Sequence, residues 1–310
     1  MDQVFTTGQK KPSMRAIYGW ILAGTALVSI MFGGLVLPLV LGTACYFGGN
    51  EFVAMARAKG MHPSTKIVRG MIVAFFGMAA LQSMPGLQLS WNFSLEHFPI
   101  LLTVGICMSF FRLLFRHESP PASIADIATT ILGFIYIGFL PAHLVLLRNL
   151  CPPGTEHYAN PLQQPGLAYV WVSLFIIWAT DVFAYLIGKK FGKRLLYAQV
   201  SPKKTVEGAL GGFIAAIFWA TLVVYIADHY LFACHPFHYK LWQAPLMGAV
   251  VSVAAQLGDL CESLLKRDAG MKDSSTMIPG HGGFLDRGDS LLFGSPVSYY
   301  WICLVVLGIL

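Results

Sequence analysis

Nine stretches of mostly apolar residues, near 16–33, 35–56, 67–85, 98–114, 122–147, 166–188, 208–230, 243–265 and 293–310, fill most of this 310-residue chain. Coiled as helices, runs of roughly twenty residues match the hydrocarbon thickness of a bilayer. Lipid offers no partner to an unpaired backbone N–H or C=O, so such runs are confined to helices or closed barrels. The expected fold is all-α, a polytopic helical membrane bundle of about nine transmembrane helices. The first two runs are nearly fused, with Gly33 and Gly34 at the break. Only 12% of residues are charged, about half the share of a soluble domain. Residues 1–15 are polar, and the apolar stretch after them outruns a signal-peptide core and lacks a small-residue cleavage site. It is read as the first spans, retained in the mature protein.

A net charge of +6 could indicate nucleic acid, but the bases follow topology. With the N-terminus in the cytoplasm, nineteen of the 21 Lys and Arg fall in cytoplasmic segments, and only Arg148 and Lys240 lie outside. That is the positive-inside pattern, and it leaves no reason to expect nucleic acid. Of the six cysteines, Cys45, Cys107, Cys261 and Cys303 lie in spans and read as small apolar residues. Cys151 and Cys234 both fall outside, where pairing stays open, and no spacing suggests zinc.

The acids are less evenly spread. Six of the fifteen, Asp259, Glu262, Asp268, Asp273, Asp286 and Asp289, lie within 31 residues. A solvated loop accounts for Asp268 and Asp273. It does not account for Asp259, which precedes the interfacial Lys266 and Arg267 by about 10 Å of helix. A carboxylate at that depth costs on the order of 3 kcal/mol, and such residues usually face a cavity. Asp259, Glu262, Ser263 and Lys266 share one helix face. The following segment, broken by Gly270, Pro279, Gly280, Gly282 and Gly283, is expected to fold back as a loop that carries Asp286 and Asp289 towards Asp259. Carboxylates without thiolates suit a hard cation such as Mg²⁺. His281 reads more readily as a hydrogen-bonded structural residue than as a ligand. Lys266, Arg267, Lys272 and Arg287 suit phosphate oxygens. Metal, carboxylates and bases together indicate phosphoryl or nucleotidyl transfer.

A second segment, "SPKKTVEG" at 201–208, supports this. Ser201-Pro202 reads as a helix entry, Lys203 and Lys204 can meet a triphosphate, and Glu207 at a span edge needs a partner. Asp181 is also intramembrane. Lys189–Arg194 read as topological bases, and Gly208 with Gly212 as a packing motif. Glu51, Asp126 and Asp228 read as isolated structural acids.

The stretch "SLLKRDAGMKDSSTMIPGHGGFLDRGD", 263–289, closely resembles the signature of the phosphatidate cytidylyltransferases. "SPKKTVEG" resembles a second block of that family, and "GFIYIGFLPAHLVLLR" at 133–148 a weaker third; the likeness is firm over about 175–300 and thin before 125. Gly288 stands where the family usually has an apolar residue, and Val206 where a Trp is common. The resemblance implies a membrane enzyme, often dimeric, that joins CTP and phosphatidate into CDP-diacylglycerol and pyrophosphate with Mg²⁺, and K⁺ as a further cation. It implies Asp259, Asp286 and Asp289 as metal carboxylates, with Lys266, Arg267, Lys272, Asp273 and Arg287 as catalytic companions. Ser201, Lys203, Lys204, Glu207, Ser263 and His281 are the implied substrate-binding residues. On this reading residues 1–160 supply N-terminal spans and 161–310 the catalytic region of one membrane unit. The expected location is a bacterial inner (plasma) membrane, with the site facing the cytoplasm. Two rivals are a CTP-dependent polyprenol or phytol kinase, which would need a general base for its alcohol, and a cation transporter. The acids cluster at one cytoplasmic edge instead of the midplane, and no inverted repeat is evident, which disfavours the transporter.

Overall fold

The computed structural model describes residues 14–84, 93–115, 123–151, 162, 164–231, 239–278 and 282–309. Helices occupy all nine expected stretches. They are α1 (Met14–Phe32), α2 (Val36–Ala58), α3 (Thr65–Leu81), α4 (Phe93–Leu114), α5 (Ile124–Arg148) and α6 (Pro165–Phe191). Then follow α7 (Val206–Ile226, continued by a wider π turn over Ala227–Leu231), α8 (Gln243–Asp268) and α9 (Leu285–Leu307). Among the described residues, six of these, α2 and α5 to α9, are long and apolar enough to cross a membrane by length and composition. The chain is thus a multi-spanning helical membrane protein.

Two expectations need correction. Ser201-Pro202 does not open a helix. Ser201–Thr205 is a strand, β2, paired antiparallel with β1 (Leu195–Tyr197) in the register Leu195↔Thr205 and Tyr197↔Ser201. The helix waits for Thr205, whose Oγ1 accepts the Gly208 N–H at 3.1 Å as an N-cap. The last span, in turn, starts at Leu285 and not near 293, so Asp286 and Asp289 stand on its first turns. The fold-back expected of the loop belongs to residues 269–284 alone.

Glycines set the helix spacing around the site. A Cβ at Gly208 would lie 2.6 Å from Ala184 O, and one at Gly212 2.5 Å from Thr180 O, so the small-residue stripe lets α7 lie directly against α6. Gly248 does the same for α8 against α7, its Cβ position lying 2.8 Å from Ala216 O. Gly258 brings α9 onto α8, with its Cβ position 2.7 Å from Asp289 O.

The two ends of the bundle are built differently. At one end an ion pair of 3.2 Å joins Lys59 after α2 to Asp268 at the end of α8, beside the β-hairpin and the start of α9. At the other, Arg148 is fully buried. Its Nε and Nη2 donate to Ile30 O (2.8 Å) and Met31 O (3.1 Å), and its Nη1 to Gln164 Oε1 (2.9 Å). The carbonyls are the last ones of α1, which a helix cannot satisfy itself. Gly33 and Gly34 then turn the chain in the left-handed region, at φ 58° and 52°.

Candidate active site

The site is assembled from the ends of α2, α6, α8 and α9 and from β2. On α8, Lys266 Nζ lies 2.5 Å from Glu262 Oε2 and 2.7 Å from Asp286 Oδ1. Glu262 is wholly buried, and its meeting with Lys266 is an ion pair and not an aligned hydrogen bond. A buried carboxylate of this kind holds its cation in place, because separation would leave an unpaired charge. Lys266 is therefore a fixed bridge between α8 and α9.

Asp286 sits in the first turn of α9, where a carboxylate meets the positive end of the helix dipole. Besides Lys266 on Oδ1, its Oδ2 accepts from Ser274 N (2.9 Å), Ser274 Oγ (2.8 Å) and Gly283 N (2.8 Å). Asp286 thus closes the loop that precedes it. Gly282 turns that loop at φ 83°, and Ile278 N donates to Gly282 O at 2.9 Å across its neck. His281, together with Pro279 and Gly280, lies outside the described residues.

Asp259 and Asp289 come together because Gly258 admits the α9 backbone. The charges that act on Asp289 are Asp259 first, then Asp181 and Lys204. Asp181, on α6, accepts from Ser290 Oγ at 3.1 Å, one residue along from Asp289. Lys204, on β2, reaches Asp259 Oδ2 at 2.5 Å. Among the described residues, the hydrogen bond to Asp289 is the 2.8 Å one from its neighbour Ser290 N, so its carboxylate keeps acceptor capacity.

The remaining expected residues are placed as follows. Glu207 accepts from Lys193 N (3.0 Å), Arg194 N (3.1 Å) and Arg194 Nε (3.1 Å), so its partner is the corner between α6 and β1. Arg267 donates from Nε to Val200 O at 3.3 Å and ties the hairpin to α8. Lys203, Lys272, Asp273 and Arg287 are exposed, while Ser201 and Ser263 are half-buried. Asp126 belongs to the Ser123 capping box at the start of α5, and Asp228 lies 3.7 Å from His229. The pairing of Cys151 with Cys234 involves a residue outside the described ones.

Glu51 is not isolated. This buried carboxylate of α2 accepts Ser275 Oγ (2.7 Å) and Phe284 N (3.0 Å) on Oε1, and Leu285 N (3.0 Å) on Oε2, where it also shares with Asp286 the single proton of Ser274 Oγ (2.8 Å). The signal available in the sequence was its depth in an apolar span, the same signal that singled out Asp259.

A metal is implied by the resemblance, and the donor set can be tested for it. Among the described residues, no three His, Cys, Asp or Glu side chains gather closely enough to hold an ion by themselves. Mg²⁺ does not require that. It commonly binds through one or two carboxylates and completes its shell with water and substrate phosphates. Among the described residues, Lys204 is the base that acts on Asp259 and Asp289, and the three acids, Asp181 included, offer oxygen donors alone. Those residues fit a hard cation that arrives with a nucleotide.

The model of the cytidylyltransferase family matches residues 13–305. The chain belongs to that family. It is 35% identical over 311 residues to a phosphatidate cytidylyltransferase of Synechocystis, an alignment covering 95% of this chain and 98% of that protein. It is 31% identical to phosphatidate cytidylyltransferase 4, chloroplastic, of Arabidopsis thaliana, over 95% of this chain and 75% of that one. With the Bacillus subtilis phosphatidate cytidylyltransferase it shares 41% over 173 residues, 56% of this chain and 57% of the other. The family match reaches back through α1 and α2, well before the segment where the signature is legible, and so takes in Glu51.

Proposed function

We propose a division of labour among these residues for one reaction. The chain is a nucleotidyltransferase of phospholipid biosynthesis: it transfers the cytidylyl group of CTP to phosphatidate, forming CDP-diacylglycerol and pyrophosphate. A phosphatidate phosphate oxygen attacks the α-phosphorus of CTP. A new P–O–P bond forms as the bond to the β-phosphate oxygen breaks, and pyrophosphate leaves in line. The lipid phosphate is already anionic at neutral pH, so the protein needs no strong base. It has to hold two polyanions together.

Asp259 and Asp289, with Asp181 beside them, would hold Mg²⁺, which offsets negative charge on the reacting phosphates, while Asp286, already held by Lys266 and the 274–283 backbone, fixes the turn that carries Asp289. Lys204 exchanges Asp259 for the nucleotide phosphates, as a mobile point charge can. Lys203 lies further out and helps draw CTP in. Lys266 keeps Asp286 and α9 in place, while Lys272 and Arg287, at the rim, meet the lipid phosphate. The observation that carries this reading is the pairing of Asp259 with Asp289 through Gly258, with Lys204 alongside.

The wider setting belongs to the same proposal. The chain crosses a bacterial inner membrane nine times as one unit, with the N-terminus and the site at the cytoplasmic face. Residues 161–310 carry most of the catalytic groups, and the enzyme works as a dimer. Phosphatidate then keeps its tails in the bilayer while CTP arrives from the cytosol. The test is to incubate purified protein with CTP labelled at the α-phosphorus, phosphatidate and Mg²⁺. Label passing into lipid is the expected result. Label found only in free CDP would indicate a kinase and sink the reading.

A further inference from the structure

The start of α9 is held by a helix on the far side of the sequence. Phe284, its N-cap residue, provides no side-chain cap. The first N–H groups of a helix have no partner within it, and at membrane depth they find no bulk water. Two of them, Phe284 N and Leu285 N, go to the two oxygens of Glu51. Phe47 and Glu51 stand four residues apart on α2 and so share one face. Phe47 stacks on the Phe284 ring, with centroids 5.4 Å apart and planes at 20°. One face of α2 therefore grips both the ring and the backbone of residue 284. Gly283 has no side chain because a Cβ there would run into Glu51 and Ser274.

Glu51 also reaches Asp286. Ser274 Oγ lies 2.8 Å from Glu51 Oε2 and 2.8 Å from Asp286 Oδ2. The same carboxylate thus fixes the first backbone groups of α9 and the loop residue that braces the first acid on it. Asp286 and Asp289 are one helical turn apart, so a rotation or slide of that turn moves both. A Ser or Asn at position 284 would cap α9 without placing a charge in the bilayer. What a local cap cannot do is fix α9 relative to α2 and the loop.

We propose that Glu51 is a positioning residue for the reaction: it sets the axial and rotational place of the first turn of α9, and through Ser274 the orientation of Asp286. This rests on the roles given above to Asp286 and Asp289. The test uses full-length Glu51→Gln, which keeps the size of the side chain but turns one acceptor into a donor facing Leu285 N–H. Three quantities are read: kcat and KM for CTP, the affinity for Mn²⁺ followed by the loss of its free EPR signal, and hydrogen exchange over 274–285. Expected are a kcat lower by roughly 100-fold, in line with a misplacement near 1 Å, and a KM for CTP within a few-fold of the parent. Mn²⁺ binding should weaken at least several-fold, and the Phe284 and Leu285 amides should exchange faster. A residue that only stabilised the fold would lower the melting temperature without weakening Mn²⁺ binding to the folded fraction. Parental kcat and Mn²⁺ affinity in Glu51→Gln would overturn the proposal. If that variant cannot be recovered folded, Ser275→Ala removes one of the four donors. It should shift kcat and Mn²⁺ affinity the same way but less, and parental values for both would overturn the proposal. Asp289→Asn separates the two levels: full activity there would refute the site reading, while faster exchange in Glu51→Gln would still report the clamp.

Discussion

Replacing Gly258 with alanine should slow the enzyme without unfolding it. The added Cβ would lie 2.7 Å from Asp289 O and 3.3 Å from the Phe293 Cβ. A carbon–oxygen contact settles at roughly 3.3–3.6 Å, so α9 would have to retreat by about 0.6–0.9 Å. The first atom is backbone and cannot swing aside, so the retreat is passed to Asp289 and opens its distance to Asp259. Misplacement near 1 Å at a reacting centre costs about 100-fold. We expect kcat to fall by roughly 10- to 100-fold, or about 1.4–2.7 kcal/mol in the barrier. The assay is CDP-diacylglycerol formation by purified protein in mixed micelles, with Mg²⁺ titrated. The melting temperature serves as the check on folding. Gly288→Ala is the control on the same helix, since an added Cβ there meets nothing within 4 Å. It should keep full activity and, as a helical Gly-to-Ala change, gain up to about 1 kcal/mol of stability. Turnover of Gly258→Ala within two-fold of the parent, or an equal loss in Gly288→Ala, would refute the argument that the glycine sets the carboxylate pair.

Other outcomes follow from the same geometry. Asp259→Asn and Asp286→Asn should each lower the rate roughly 100-fold or more at saturating Mg²⁺, whereas Asp268→Asn, which loses only the surface pair with Lys59, should be mild in the same assay. Lys204→Gln should raise the KM for CTP well above any change in that for phosphatidate, while the exposed Lys203 should matter less; initial rates with each substrate varied in turn decide this. A cytoplasm-only fluorescent reporter should shine when fused before Met1 and stay dark after Leu310, and bright fluorescence from the second fusion would mean that the number of spans is even, not nine.

Much of this site was legible in the sequence because lipid makes charge expensive. Asp259 stands out by its depth, but nothing in the sequence links it to "SPKKTVEG", whose Lys204 is read there as a triphosphate contact and in the structure pairs with Asp259. The positions of the apolar helices are legible for the same reason. The hairpin was not, because Ser-Pro before two lysines has the local chemistry of a helix start. The entry to α9 was misread because "LDRGDS" carries a glycine and three charges, which look like loop. The caps from Glu51 and Asp286 satisfy its first N–H groups and favour helix there. Glu51 itself was visible as an intramembrane acid, but its donors lie 223 to 234 residues away. Spacing along a single helix cannot disclose a pairing of that range.

The buried guanidinium of Arg148 has a consequence for biogenesis. The carbonyl ends of the first helix, at Ile30 and Met31, are satisfied by a residue made more than a hundred positions later. While the ribosome is still synthesising α3 and α4, those groups have only lipid headgroups and water to turn to. The junction between α1 and α2 is thus completed only once the fifth helix has been made. A chain that ends before residue 148 would leave the two carbonyls without the partner that fixes α1 against the rest of the bundle.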